Sequence, residues 1–120
     1  MNPHLVGILI GGLIPAILYG VSSVFAKAST KEGIGLGVYL MITGFAVACI
    51  GAGFFAFQVD KTLSFRSATY AVGFGVSWAL GTGLVAIGLT KFGIPLGKLV
   101  PMYNMNTLVA VLLALWIFAE

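Results

Sequence analysis

Charge is scarce in this sequence, and its scarcity excludes an ordinary soluble domain. Only 8% of the 120 residues are charged and 60% are hydrophobic, and the mean hydropathy is +1.13. Soluble domains carry about 25% charged residues, and a chain this short leaves a large share of its surface in water. We therefore predict an integral membrane protein in contact with a lipid bilayer, and we expect it in the plasma (inner) membrane of a prokaryote.

Reactive and metal-binding side chains are also scarce. The chain has one cysteine, Cys49, and one histidine, His4. A single cysteine excludes an internal disulfide and a multi-cysteine metal site, and the sequence offers no nucleophile–base pair and no phosphate-cradling loop. We expect a protein that is not an enzyme and that needs no metal or cofactor. The net charge of +3 comes from lysines between apolar runs, so we expect no nucleic-acid partner.

The charged residues divide the chain into four long apolar runs. A spanning helix needs about 20 mostly apolar residues. Runs of this length predict helices at about 5–26, 34–57, 70–90 and 96–119, within a single membrane domain at 1–120. The short polar connections predict an all-α, up-and-down bundle of four transmembrane helices. Pro15 and Pro101 fall inside these runs and are expected to bend their helices.

Basic residues give only a small bias in orientation. The first and third connections share one side of the predicted membrane and carry Lys27, Lys31, Lys91 and Lys98, whereas the other side carries Lys61 and Arg66. The positive-inside rule places both termini outside, by a margin of two charges. So small a margin is also compatible with insertion in both orientations.

Small residues recur at four-residue spacing on two of the runs. Close helix packing in lipid relies on glycine, alanine and serine at such spacing. We expect these stripes to pack within the bundle, with a dimer seam as the alternative. The stripes are Gly44, Ala48, Ala52 and Ala56 on the second run, and Gly73, Ser77 and Gly81 beside Gly75, Ala79 and Gly83 on the third.

The fourth run carries the most polar side chains inside a predicted span. At about 100° per residue, Tyr103, Asn104, Asn106 and Thr107 cover one arc of roughly 160°. Asparagines in hydrocarbon are costly unless they find partners, and intramembrane polar groups often mark solute paths. Hydrogen bonding between helices would explain the same residues, and the sequence does not choose between the two interpretations.

Other polar residues are candidates to complete a substrate cavity with this arc. Lone serines and threonines more often bond to their own helix, and Lys98 also suits snorkelling towards the headgroups. Ser23, next to Ser22, could also complete this cavity, and Tyr39 and Thr43 are weaker candidates. The predicted substrate-binding residues are Tyr19, Ser22, Ser77, Trp78, Thr82 and Lys98, together with Tyr103, Asn104, Asn106 and Thr107.

The absence of acidic residues from the predicted spans bears on the substrate. A proton-coupled exporter of cationic drugs would be expected to keep a carboxylate in the membrane, and no Asp or Glu falls within a predicted span. Hydroxyls, amides and aromatic rings suit a neutral or zwitterionic polar metabolite, such as a sugar or an amino acid, better than an organic cation.

Three segments resemble the EamA-type proteins of the drug/metabolite transporter superfamily. Residues 18–28 resemble the family's first helix, in which an aromatic residue, Gly and Ser precede a closing lysine; the family usually has Trp where this chain has Tyr19. Residues 75–86 resemble the third helix. Residues 97–120 are similar to the fourth helix, which has an early proline and a closing glutamate. The Trp-Ala-Leu-Gly stretch from Trp78 and the proline with asparagines favour the glucose/ribose porter branch.

This resemblance implies a metabolite transporter with a central cavity between helices. A single repeat of that family has a fifth helix after the glutamate, whereas this sequence ends at Glu120. One copy is then expected to supply part of a cavity that two inverted halves usually enclose. We therefore expect a homodimer, antiparallel in our hypothesis and parallel as the alternative. A non-transporting membrane subunit and a small multidrug-type exporter remain open as other functions.

Overall fold

The computed structural model describes residues 2–58 and 62–119, and every regular element in these ranges is a helix. Predictions that rest on Asp60, Lys61 and Glu120 lie outside the described residues. Each of the four long helices is apolar enough to cross a membrane, which confirms the predicted all-α chain with four such helices. They are α1 (Pro3–Lys31), α2 (Leu36–Phe57), α3 (Phe65–Thr90) and α4 (Leu96–Ile117).

Local hydrogen bonding makes two of the helices longer than their apolar runs. Helix α1 continues to Lys31 and is terminated by Gly33, two residues later, whose φ of 87° is a left-handed conformation that glycine adopts without strain. Helix α3 begins at Phe65 because Ser64 caps it: the Ser64 hydroxyl accepts the Ser67 N–H at 3.1 Å, and the Ser67 hydroxyl accepts the Ser64 N–H at 3.3 Å.

A π-helical segment interrupts α1 ahead of Pro15. The segment is Leu9–Leu13, and regular α-helix resumes at Ile14. Proline has no N–H to donate to the carbonyl of Gly11, and its ring crowds that carbonyl. The wider π turn leaves more space between the Pro15 ring and the Gly11 carbonyl.

Helix packing is concentrated in one half of the bundle. Helix α3 contacts α1, α2 and α4, and α1 also contacts the first part of α4. The buried residues Thr30, Gly83, Ala86 and Leu89 all lie where α1 and α3 end and where α2 and α4 begin. We call this the packed half. In the opposite, open half, none of the described residues is buried.

The chain alone leaves most of its apolar surface uncovered. Its accessible surface is 9814 Å², whereas a compact soluble monomer of the same mass exposes about 6,200 Å². The only apolar side chains buried among the described residues are Ala86 and Leu89. Such a surface is typical of helices that are covered by lipid or by further helices.

The small-residue stripes take part in packing at one position. A Cβ on Gly83 would lie 3.6 Å from Leu40 and 3.7 Å from Leu36, so the missing side chain allows α2 and α3 to approach. In contrast, a Cβ on Gly44, Gly73, Gly75 or Gly81 would meet nothing within 4 Å. At these four glycines the predicted packing within the chain is not seen, because each faces open space.

Candidate functional site

The midpoint of α4 is a break in regular helical hydrogen bonding. The α-helical parts Leu96–Tyr103 and Asn106–Ile117 are separated at Asn104 and Met105. The N–H of Met105 bonds to Met102 at 3.2 Å, and that of Thr107 bonds to Asn104 at 3.1 Å, so three-residue bonds replace the usual four-residue bonds. Such a mid-helix stretch often marks a hinge or a functional position.

Asn104 lies in this break and Asn106 directly follows it, close to the centre of the 22-residue helix. Both are exposed, and the Asn104 carboxamide makes no hydrogen bond with any residue that the structure describes. Among the described residues, the Asn106 carboxamide accepts a single 3.4 Å bond, from Thr107, and its two N–H donors have no partner. These groups are available to water, to a solute or to another polypeptide, but hydrocarbon would leave them unsatisfied.

Tyr103 faces a different direction from its polar neighbours on α4. Its side chain is half-buried, and its hydroxyl lies 2.7 Å from the Ser23 hydroxyl of α1. The predicted polar arc is therefore divided, because Tyr103 joins α4 to α1 whereas Asn104, Asn106 and Thr107 stay exposed. This is the only hydrogen bond between side chains of different helices among the described residues.

The other predicted residues on α1 make no side-chain hydrogen bond to α4 among the described residues. The hydroxyl of Ser22 donates to the carbonyl of Tyr19 on its own helix at 2.7 Å. The Tyr19 side chain is 73% exposed. Both side chains are exposed in a single copy.

The predicted residues on α3 and at the start of α4 take no part in the hydrogen bond between Tyr103 and Ser23. Ser77 and Trp78 are exposed and Thr82 is half-buried, while Lys98 is exposed near the start of α4. The Ser77 and Thr82 hydroxyls make no hydrogen bond within the part of the chain described. Both remain available as donors.

Four hydroxyl side chains lie in the packed half at the same distance from the helix ends, one on each helix. Each lies seven or eight residues from the packed end of its helix, which corresponds to about 10–12 Å. All four are half-buried, and one comes from each helix. We call this set the hydroxyl layer: Ser23 on α1, Thr43 on α2, Thr82 on α3 and Tyr103 on α4.

Sequence reasoning gave Ser23 and Thr43 less weight than their positions justify. Serine spacing alone does not distinguish Ser22 from Ser23, because the rotation of α1 against α4 decides which hydroxyl meets Tyr103. Counting residues from the connections would have found the layer, since Ser23, Thr43 and Thr82 stand at matching distances from the ends of their helices.

Neither of the two main cavities among the described residues encloses the predicted substrate-binding residues. A cavity of about 290 Å³ lies at the packed end, and none of the predicted residues lines it. A second hollow of about 460 Å³ is an open groove along α1 beside His4 and Gly11. Asn104, Asn106 and Thr107, which we call the polar face of α4, are thus an open surface.

Comparison of the chain with protein-family models, with curated proteins and with solved structures finds no match. The assignment of a function therefore depends on the chemistry of the α4 face and of the hydroxyl layer.

Proposed function

We propose that the chain is a membrane transporter for a small polar metabolite, with a substrate cavity between two copies. The polar face of α4 lines the cavity at the middle of the membrane, and the hydroxyl layer forms its floor. This function agrees with the resemblance of residues 18–28, 75–86 and 97–120 to EamA-type proteins.

The break in α4 is the observation that carries the proposal. Irregular backbone at membrane depth is tolerated where it is buried in protein or lines a water-filled cavity. Transporters place substrate sites at such discontinuous helices near the bilayer midplane. Here the break at Asn104 and Met105 lies near the centre of α4. The carboxamides of Asn104 and Asn106, at this break, keep donors and acceptors without a partner among the described residues.

A second copy is required because one copy leaves this face open. Asn104, Asn106 and Thr107 are exposed, and the stripe of Gly73 and Gly81 on α3 meets open space. Small residues allow helices of two chains to approach closely. A homodimer would cover the apolar surface on either side of the asparagines and enclose the polar groups between the two copies.

The polar groups favour an uncharged or zwitterionic substrate. Carboxamides and hydroxyls donate and accept hydrogen bonds without carrying charge, and no described residue within α2, α3 or α4 is acidic. Sugars and amino acids present groups that match these donors and acceptors. Their polar atoms would replace the water that otherwise solvates Asn104 and Asn106.

Uptake by reconstituted protein tests the proposal. The full chain is placed in liposomes, and the entry of radiolabelled ribose, glucose and alanine is measured for the unmodified chain, Asn104→Ala and Val109→Ala. Val109 is an exposed apolar residue of the same helix and serves as the matched control. Asn104→Ala should lower the initial rate about tenfold or more, because a lost hydrogen bond to substrate costs about 1–3 kcal/mol.

Cross-linking of the same samples separates transport from assembly. The proposal requires Asn104→Ala to remain a dimer while its uptake falls. If the variant loses the dimer instead, the α4 face is an assembly seam and the chain is a membrane subunit. Equal uptake by Asn104→Ala and Val109→Ala would contradict a substrate site at Asn104.

A further inference from the structure

The cavity at the packed end has no part in the proposed transport site, yet it is lined by polar groups. It measures about 290 Å³ and lies where α1 ends, α2 begins and α3 ends. Leu36 and Ala86 contribute apolar wall, and the polar lining comes from Thr30, Tyr39, Thr90 and Lys91. Ligand pockets start at about 300 Å³, so the space fits a small group and excludes a bulky one.

The lining threonines do not supply donors to this space. Thr30 donates its hydroxyl proton to the carbonyl of Ala26 at 3.0 Å or of Lys27 at 3.1 Å. Thr90 donates to the carbonyl of Ala86 at 2.8 Å. A hydroxyl has a single proton, so these two oxygens remain only as acceptors.

Three other groups supply donors. The hydroxyl of Tyr39 has no hydrogen-bond partner among the described residues, and the Lys91 ammonium forms no ion pair among them. The third group is the start of α2, where Gly35 and Leu36 line the cavity and no side chain caps the free N–H groups. A helix N-terminus carries a partial positive charge and attracts anions.

The surrounding charge favours the same kind of ligand. The packed end carries four lysines and one carboxylate, that of Glu32. None of these groups forms an ion pair within the part of the chain described. Clusters of lysines next to spanning helices attract anionic lipid headgroups. The four lysines are Lys27, Lys31, Lys91 and Lys98.

We propose that this cavity binds the phosphate group of an anionic lipid. The Lys91 ammonium, the Tyr39 hydroxyl and the uncapped start of α2 hold the phosphate oxygens. The cavity lies at the ends of the helices, where the headgroup region of a bilayer begins. A soluble phosphate ester shares this chemistry, and the experiment distinguishes the two sources. The site is independent of the proposed transport function.

Lipid retention by the full chain tests the site. The protein is purified in a neutral detergent, and phosphatidylglycerol or phosphatidylcholine is added while bound lipids are counted by native mass spectrometry. We expect one phosphatidylglycerol per chain to be held in preference to phosphatidylcholine. Lys91→Gln should weaken this binding about tenfold or more, because it removes a charge-assisted hydrogen bond to the phosphate oxygens.

Matched variants distinguish a built site from diffuse attraction. Lys31→Gln removes the same charge from the same end but lies outside the cavity lining, and Arg66→Gln removes a charge near the start of α3, at the opposite end. Both should leave binding within about twofold of the unmodified chain. Tyr39→Phe deletes only the free hydroxyl, so it should weaken binding without loss of helix content by circular dichroism.

Competition with inorganic phosphate and glycerol 1-phosphate identifies the source of the phosphate group. Displacement of the lipid at millimolar concentrations, lost in Lys91→Gln, assigns the site to a soluble phosphate; no displacement assigns it to the lipid headgroup. Equal losses in Lys91→Gln and Lys31→Gln, or no preference for phosphatidylglycerol, would overturn the proposal.

Discussion

The Tyr103 hydroxyl of α4 lies 2.7 Å from the Ser23 hydroxyl of α1. The Ser23 hydroxyl also donates to the carbonyl of Tyr19 at 3.1 Å. A serine has only one hydroxyl proton, so both bonds exist together only when Tyr103 is the donor to Ser23. The two helices are therefore joined by a directed chain that ends on a backbone carbonyl.

Removal of the Tyr103 hydroxyl should weaken the contact between α1 and α4. Tyr103→Phe keeps the ring but loses the donor, and interhelical hydrogen bonds in membrane proteins contribute about 0.6 kcal/mol on average. Unfolding of the purified chain with increasing dodecyl sulfate in mixed micelles should show a loss of about this size. Ser22→Ala is the control, because its hydroxyl bonds to its own helix.

A double-mutant cycle assigns that loss to the pair. Ser23→Ala and Tyr103→Phe should together cost less than the sum of the two single changes. Additive losses would mean that the two hydroxyls do not interact in the folded chain.

Two glycines on α3 should respond differently to the same substitution. Gly83 is buried against Leu36 and Leu40, so Gly83→Leu should separate α2 from α3 and destabilise the chain by about 1–3 kcal/mol. Gly73 faces open space, so Gly73→Leu should leave the stability of the single copy unchanged. Dodecyl sulfate titration in mixed micelles measures the stability of both variants.

The Gly73→Leu variant also tests whether α3 forms the interface between two copies. If α3 forms the seam between copies, Gly73→Leu should lower the dimer fraction in cross-linking, because a large side chain prevents close helix approach. A dimer fraction equal to that of the unmodified chain would place the seam elsewhere.

The capping box at the start of α3 should control fraying of its first turn. Ser64→Ala removes the side chain that accepts the Ser67 N–H, at a cost of about 1 kcal/mol. Amide hydrogen exchange at residues 65–68 should become about fivefold faster. Thr69→Val is the control, since the Thr69 hydroxyl bonds only to the Phe65 carbonyl of its own helix; an equal change there would contradict a capping role.

The sequence predicts the helices well because apolar runs between charges determine what can cross a membrane. It does not predict where α1 ends or where α3 begins. These limits depend on the left-handed conformation of Gly33 and on the hydrogen bonds between Ser64 and Ser67, which both lie in polar parts of the chain. The polar residues of α4 are recognisable from their spacing. Their separate directions are not, because they depend on the break at Asn104 and on the rotation of α1 that selects Ser23.

The proposed transport requires a water-filled cavity beside Asn104, and thiol accessibility tests for this cavity without knowledge of the substrate. In a Cys49→Ala background, Asn104→Cys and Val109→Cys are each reconstituted in lipid and treated with a membrane-impermeant thiol reagent. We expect rapid labelling of Asn104→Cys and little labelling of Val109→Cys, because Val109 lies on the apolar side of the same helix. Equal resistance of both positions would contradict a solvent-accessible site at the middle of α4.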